Sequence, residues 1–185
     1  MADADQPLTV TSFAAHPDGP WRVVDQVAVH GDDLPPARGI WIGDREAPPG
    51  ASWMLRGTAS HLRYITAADR AALQALSPPL GRTEATHAAL IPIRKSAAWW
   101  ALAQDERQAI LLRSMHLATG MQFLPAIARR LYHSRDLGEP FDFITWFEFA
   151  AEDEMRFSDM LALLRGSEEW SYVEREVDLR LERID

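Results

Sequence analysis

The apolar and polar positions of the chain alternate in some segments and repeat at helical spacing in others. Alternation is strongest over residues 141–150 and 170–181, which predicts a β-strand in each segment. Residues 126–133, AIARRLYH, have the same strand character. Less regular alternation predicts further strands over residues 21–31, 39–44, 53–65 and 86–96.

Apolar residues recur at helical spacing in two long segments. Residues 106–123 predict one helix, which Pro125 closes because proline cannot continue it. Residues 152–166 predict an amphipathic helix that ends at Gly166. Two shorter helices are predicted after Ser96 and from Thr66 to about Leu76.

The order of these elements indicates an α+β protein. It favours two halves that each combine a sheet with helices. A break rich in proline and glycine near residues 77–83 separates the two halves. We therefore predict a single domain over residues 1–185, with an N-terminal half over about 1–80 and a C-terminal half over about 81–185.

Composition and charge exclude several classes of function. The chain has 185 residues, of which 47% are apolar, so it can form a sizeable core. The net charge of −8 argues against nucleic acid as a partner, since phosphate binding requires a basic surface. The absence of cysteine excludes disulfides and thiolate ligands. No signal peptide or membrane span is evident, and we expect a cytoplasmic protein.

His116 lies within the predicted helix over residues 106–123. There it shares a face with Leu112, Gly120 and Phe123. An imidazole in such surroundings is either a core residue with one hydrogen bond or an axial ligand of haem iron, where glycine and apolar neighbours make room for the macrocycle. The residues by themselves leave both interpretations open.

Two adjacent arginines, Arg129 and Arg130, lie within the predicted strand over residues 126–133. Because neighbouring side chains of a strand point to opposite faces, the two must point away from each other. One interpretation is a surface arginine beside another whose stem lies along apolar surface. The alternative places one guanidinium in a dry cavity, where its permanent charge and forked donors suit a small oxyanion.

Several separated motifs resemble the chlorite dismutase family of haem b enzymes, and in particular its short-chain, dimeric branch. They run from HLATGMQFLPAIARRLYHSRDLGEPFDFITWFEF to EEWSYVEREVDLRL, and the resemblance covers most of the chain from about Tyr64 onward. It implies two ferredoxin-like halves, with haem b in the C-terminal half. It also implies a homodimer.

The resemblance implies roles for individual residues. His116 would be the proximal iron ligand, and Arg129 would be the distal arginine. Glu169 would hydrogen-bond the other nitrogen of His116 and fix its tautomer, although the adjacent Glu168 leaves the register open. Without the resemblance, Glu169 is compatible with a solvated acid and the aromatic residues with ordinary core. Contacts to the haem propionates would come from Lys95, Trp99, Trp100 and Tyr64.

The family converts chlorite to chloride and dioxygen by cleavage of the O–Cl bond and formation of the O–O bond. An arginine above the iron would bind the chlorite anion and retain the hypochlorite that is formed. No acid–base residue is required, because no net proton is consumed. Thr145 and Phe147 are candidate walls of this pocket.

Two other functions fit the same ligands. A coproheme decarboxylase-like enzyme shares the fold and the proximal histidine, but that group carries a glutamine where this chain has Arg129. A haem-binding or haem-sensing protein without turnover is compatible with all of these residues, and only an activity assay separates it. The expected partners are haem b and the small anion chlorite, with no nucleic acid and no membrane.

Overall fold

The computed structural model describes residues 9–44, 46–59 and 76–184. Tyr64 and almost all of the helix predicted from Thr66 to about Leu76 lie outside the described residues. The described strands are β1 (Val10–Ala15), β2 (Trp21–His30), β3 (Gly39–Gly43), β4 (Met54–Ala59), β5 (His87–Lys95), β6 (Ala128–His133), β7 (Phe143–Phe149) and β8 (Val173–Arg183). The described α-helices are α1 (Ala97–Ala101), α2 (Gln104–Arg113), α3 (His116–Gln122) and α4 (Glu154–Arg165). None of the described helices has the length and apolar character needed to cross a membrane.

The strands form one closed antiparallel barrel in the order β1-β3-β2-β8-β5-β7-β6-β4. On one side, β2 pairs with β8 along its whole length. On the other, β4 pairs with β6 at Thr58–His133 and Ala59–Tyr132. The α+β class predicted from the sequence is therefore confirmed, whereas the closure of the sheet into a barrel was not predicted.

The two sets of four consecutive strands have the same internal order. Counted from its own first strand, each set lies in the order 4-1-3-2. In the second set, α1, α2 and α3 connect the first strand to the second, and α4 connects the third to the fourth. The second set is therefore a β-α-β-β-α-β unit.

The sheet separates two apolar clusters. The interior cluster fills the barrel and includes Phe13, Tyr132, Ile144, Trp146 and Leu179. The outer cluster packs the other face of the second set against α4 and includes Ile91, Phe147, Phe157, Leu164 and Trp170. Because β5 and β7 are buried on both faces, their sequences are almost continuously apolar.

The helix predicted over residues 106–123 is divided into two. Between the end of α2 and the start of α3, Met115 has a φ of 49°, in the left-handed region that residues other than glycine rarely adopt. The apolar spacing continues through this break, so the pattern gave no sign of it, and the prediction of a single helix was wrong. The break makes His116 the first residue of α3.

Candidate functional site

His116 and Glu169 form the centre of the candidate site. Glu169 lies on a 3₁₀ turn, Glu168–Tyr172, directly before β8. Nδ1 of His116 is 2.7 Å from Oε2 of Glu169, and in the described part of the chain neither atom has another hydrogen-bonding partner. The carboxylate is buried, whereas 25% of the His116 side chain is exposed. The contact orients the ring and leaves Nε2 available to a ligand.

The neighbouring Glu168 has a different environment. It is exposed, and its two carboxylate oxygens accept hydrogen bonds from the guanidinium of Arg113 at 2.8 and 3.0 Å. The sequence could not distinguish the two glutamates as partners of the histidine. In the structure, Glu169 is the residue that contacts His116.

Lys95 binds the second oxygen of the same carboxylate. Its Nζ donates to Oε1 of Glu169 at 2.9 Å and to the Glu169 carbonyl at 3.3 Å, and both side chains are buried. This arrangement differs from the predicted propionate contact, because the ammonium is already paired inside the protein. Lys95, Glu169 and His116 therefore form a continuous chain of polar contacts.

These contacts determine how the buried pair ionises. Burial by itself would raise the pKa of Glu169, but hydrogen bonds and charge from His116 and Lys95 outweigh it and lower the pKa to about 2. Burial lowers the pKa of Lys95, and the charge and hydrogen bond of Glu169 oppose that change. Glu169 is therefore an anion at neutral pH.

The low pKa of Glu169 predicts a pH dependence of stability. The ordinary value is 4.5 and the folded value is about 2, so the anion stabilises the fold above pH 4.5 and this contribution is lost as the pH falls towards 2. The shift corresponds to about 3 kcal/mol. Chemical denaturation of the cofactor-free protein between about pH 5 and 2.5 should therefore show a steeper loss of stability for the parent than for Glu169→Gln. Equal pH dependence of the two proteins would contradict this assignment.

Arg129 lies on the outer face of β6. It is opposite Phe147 of the outer cluster, whereas Arg130 is opposite Trp146 of the interior cluster. The two arginines therefore leave the strand on opposite faces, as its alternation predicted. Arg129 is half-buried and Arg130 is exposed.

Gly120 brings the Arg129 guanidinium close to the helix that begins at His116. A Cβ atom at Gly120, one turn after His116, would lie 3.5 Å from Nη1 of Arg129. Burial lowers the pKa of Arg129 and the negative charge of Glu169 opposes this, and a guanidinium stays cationic at neutral pH. Among the described residues, none forms a hydrogen bond or ion pair with Arg129.

The predicted pocket walls, Thr145 and Phe147, lie on the same outer face as Arg129. Both are buried. Thr145 is opposite Leu131 of β6 on one side and Ile91 of β5 on the other. The surface beside the arginine is therefore mainly apolar.

The two tryptophans of α1 have different surroundings. Trp99 is buried, and its ring centroid is 4.7 Å from Nζ of Lys95. Trp100 is half-buried, and its Nε1 donates to Oδ2 of Asp142 at 3.1 Å. Its ring lies nearly parallel to that of Phe143. Trp99 thus belongs to the surroundings of Lys95, whereas Trp100 is partly exposed to solvent.

Two residues of the site were missed by the sequence analysis. Asp142 is buried and accepts hydrogen bonds from the main-chain nitrogen of Lys95 and from Trp100. Trp170 is buried beside His116, and the two ring planes differ by only 15°. An acid or an aromatic residue near the start of a predicted strand is common, so neither residue had a distinguishing signal.

Comparison with known proteins gives a family match. The sequence model of the family described as Chlorite dismutase matches residues 57–183. The chain is also similar to a chlorite dismutase from Ideonella dechloratans, with 41% identity over 61 residues. The matched segment is 32% of this chain and only 20% of that relative.

Solved structures give a longer match. A crystal structure of a dimeric chlorite dismutase from Nitrobacter winogradskyi has a TM-score of 0.88 and 51% identity, and the match covers 94% of this chain and 99% of that one. A mutant chlorite dismutase from Candidatus Nitrospira defluvii in complex with cyanide has a TM-score of 0.61 and 26% identity. That match covers 73% of this chain and 55% of the other.

Proposed function

The chain belongs to the chlorite dismutase family, and from that premise we propose that it is a haem b enzyme that decomposes chlorite to chloride and dioxygen. One observation carries the proposal. The carboxylate of Glu169 holds Nδ1 of His116, while Arg129 approaches the same helix from the facing strand. This combination offers an oriented imidazole to iron and a cation to an anionic substrate.

The residues of the site fit a haem group. His116 would hold the haem iron through Nε2, because Nδ1 contacts Glu169. Gly120 has no side chain to obstruct a flat macrocycle. The anionic Glu169 would increase the basicity of the imidazole and fix its tautomer. Lys95 would act through Glu169, since its ammonium is paired with that carboxylate.

The edges of the macrocycle have their own candidate contacts. Trp99 and Trp100 are proposed to lie near the haem propionates, and Trp100 is partly exposed to solvent. An indole N–H is a suitable donor to a carboxylate, and that of Trp100 already donates to Asp142, so a propionate bound there would replace or share this hydrogen bond. Tyr64 is kept as a further propionate contact on the resemblance alone, because it lies outside the described residues.

When bound, haem would supply the redox chemistry for cleavage of the O–Cl bond and formation of the O–O bond. Arg129 would bind the chlorite anion through its forked donors and keep hypochlorite within the pocket. Thr145 and Phe147 limit the access of water, which strengthens the attraction between the guanidinium and the anion. No side chain has to move a proton, since none is consumed.

Replacing His116 by alanine tests the cofactor assignment. We expect His116→Ala to lose the five-coordinate, high-spin ferric spectrum or to retain much less haem, because the side chain that would hold the iron is removed. Absorption spectroscopy and haem quantification after reconstitution measure both effects. An unchanged spectrum together with unchanged haem content would rule out His116 as the ligand.

The activity itself is tested by adding chlorite to the haem-reconstituted protein and following dioxygen with an electrode. Release of dioxygen is the expected result. Bound haem without dioxygen release would instead indicate a haem-binding or haem-sensing protein. A coproheme decarboxylase-like activity is disfavoured by Arg129, since that group carries a glutamine at this position.

We propose a homodimer, on the basis of the similarity to the dimeric protein from Nitrobacter winogradskyi. Light scattering should then give twice the chain mass of 20.8 kDa. A monomer at micromolar concentration, or a pentamer, would contradict the proposal. The cytoplasmic location expected from the sequence is part of the same proposal and is tested by cell fractionation.

The description of the fold as two ferredoxin-like halves within one domain is also a proposal. The same strand order in both sets supports it, as does the β-α-β-β-α-β connection of the second set. The boundary expected near residue 80 falls between β4 and β5. The proposed haem site belongs to the second half.

A further inference from the structure

We propose that Trp170 is a positioning residue that fixes the plane of the proximal imidazole, an inference that rests on the proposed role of His116. Trp170 directly follows Glu169 and is 7% exposed. Its ring plane is within 15° of that of His116, and the ring centroids are 6.4 Å apart. Offset parallel rings at such separations attract each other.

The contact with Glu169 cannot set this plane by itself. One contact between Nδ1 and a carboxylate oxygen fixes the direction of the nitrogen, but the ring can still rotate about the line that joins the two atoms. A flat, immobile neighbour restricts that rotation. The indole of Trp170 is the neighbour with the required orientation.

A buried carboxylate immobilises the indole. Nε1 of Trp170 donates to Oε2 of Glu176 at 2.7 Å, and Glu176 is fully buried. The other oxygen of Glu176 accepts two hydrogen bonds from Arg165, at 2.9 and 2.6 Å. Arg165 also donates to Asp178 at 2.9 Å. The indole is thereby attached to β8 and α4 rather than to the turn that carries it.

Lys95 links the indole to the rest of the proximal contacts. Its Nζ is 5.3 Å from the centroid of the Trp170 ring, within range of a cation–π attraction. The same nitrogen binds Glu169. Trp170 therefore lies next to both His116 and Lys95, the two residues that contact the Glu169 carboxylate. It restricts movement of the imidazole and of the ammonium.

Two substitutions of Trp170 separate the contribution of its flat ring from that of its N–H donor. Trp170→Phe keeps a flat ring and removes the donor to Glu176, whereas Trp170→Leu removes the flat ring as well. Trp146→Phe is the matched control, because Trp146 is also buried and its Nε1 donates to a glutamate, Glu148, at 2.8 Å. That tryptophan belongs to the interior cluster, on the other side of the sheet from His116.

The measurements are made on haem-loaded protein and do not depend on turnover. Resonance Raman spectroscopy of the ferrous form gives the iron–histidine stretching band, and electron paramagnetic resonance of the ferric form gives the rhombicity of the iron site. We expect Trp170→Phe to shift and broaden both signals, Trp170→Leu to change them further, and Trp146→Phe to leave them as in the parent. Phenylalanine is closer to tryptophan in volume than leucine is, so Trp170→Phe gives both spectra even if Trp170→Leu does not fold.

Unchanged signals in Trp170→Phe, while the parent shows an iron–histidine band, would overturn the inference and leave the proposed function intact. Changes of equal size in Trp146→Phe would also overturn it, since they would reflect the loss of any buried tryptophan. A parent protein that binds haem without an iron–histidine band would overturn both the inference and the proposed ligation.

Discussion

Arg129→Ala is expected to slow chlorite turnover while haem binding stays close to that of the parent. In the proposed function the guanidinium acts on the chlorite and hypochlorite anions, whereas haem affinity depends on His116 and the edge contacts. A lost charge-assisted contact of about 1.5–3 kcal/mol corresponds to about a ten- to hundredfold decrease in rate. Because hypochlorite would escape more often, the variant should also bleach its haem after fewer cycles. A hypochlorite scavenger should slow that bleaching.

Arg130→Ala is the matched control. Arg130 is the next residue on β6 but leaves the strand on the opposite face, and it is exposed. Its removal should leave turnover near the parental value. Dioxygen production and loss of the haem absorption band measure both variants. A normal rate and normal durability in Arg129→Ala would exclude the proposed role of the arginine.

Lys95→Met is expected to lower the free energy of unfolding by about 3–5 kcal/mol, because it leaves a buried carboxylate without its cation. The Lys95 and Glu169 side chains are only 4% and 8% exposed, so water cannot replace the lost partner. Methionine keeps most of the apolar stem. Denaturant titration of the haem-free protein measures the change without any contribution from the cofactor.

The control for Lys95→Met is the neighbouring Arg94→Met. Arg94 forms an ion pair with Glu174 at 2.6 Å, but both side chains are more than 40% exposed. Such exposed pairs contribute about 0–1 kcal/mol, so this change should be small. Adding Glu169→Gln to Lys95→Met should recover part of the lost stability, since the unpaired charge is then removed. Equal losses in the free energy of unfolding for Lys95→Met and Arg94→Met would contradict a stabilising role of the buried Lys95–Glu169 pair.

Local patterns were sufficient for most elements of the second set of strands. β7 and β8 correspond to the two clearest predicted strands, and α4 ends before Gly166 as expected. β1 was not predicted, because its residues from Ser12 to Ala15 are all buried and do not alternate. The barrel was not predicted either, since β2 and β8 come from opposite ends of the chain and no local pattern records their pairing.

The residues of the candidate site could be predicted only where they belong to sequence motifs that resemble the family. The resemblance singled out His116, Glu169 and Arg129, and the structure brings the first two to 2.7 Å. For Lys95 the predicted partner was a haem propionate, whereas the structure pairs it with Glu169. The two residues are 74 positions apart, so no local pattern indicates the contact. A sequence motif can indicate a lysine but does not show which carboxylate binds it. The role of Trp170 was missed for the same reason, since it depends on Glu176 and the fold around it.

The helices before the site are much less buried than the barrel strands, so the two parts of the protein differ in local stability. α3 has no buried residue and α2 has only Ile110, whereas β5 and β7 are buried on both faces. Local opening of α2 and α3 therefore exposes little apolar surface, and their amide hydrogens should exchange at a lower free energy than those of the barrel strands. The helix that carries His116 can open while the barrel stays closed. Uptake and release of the proposed haem would then require only a local fluctuation of α2 and α3, without unfolding of the barrel.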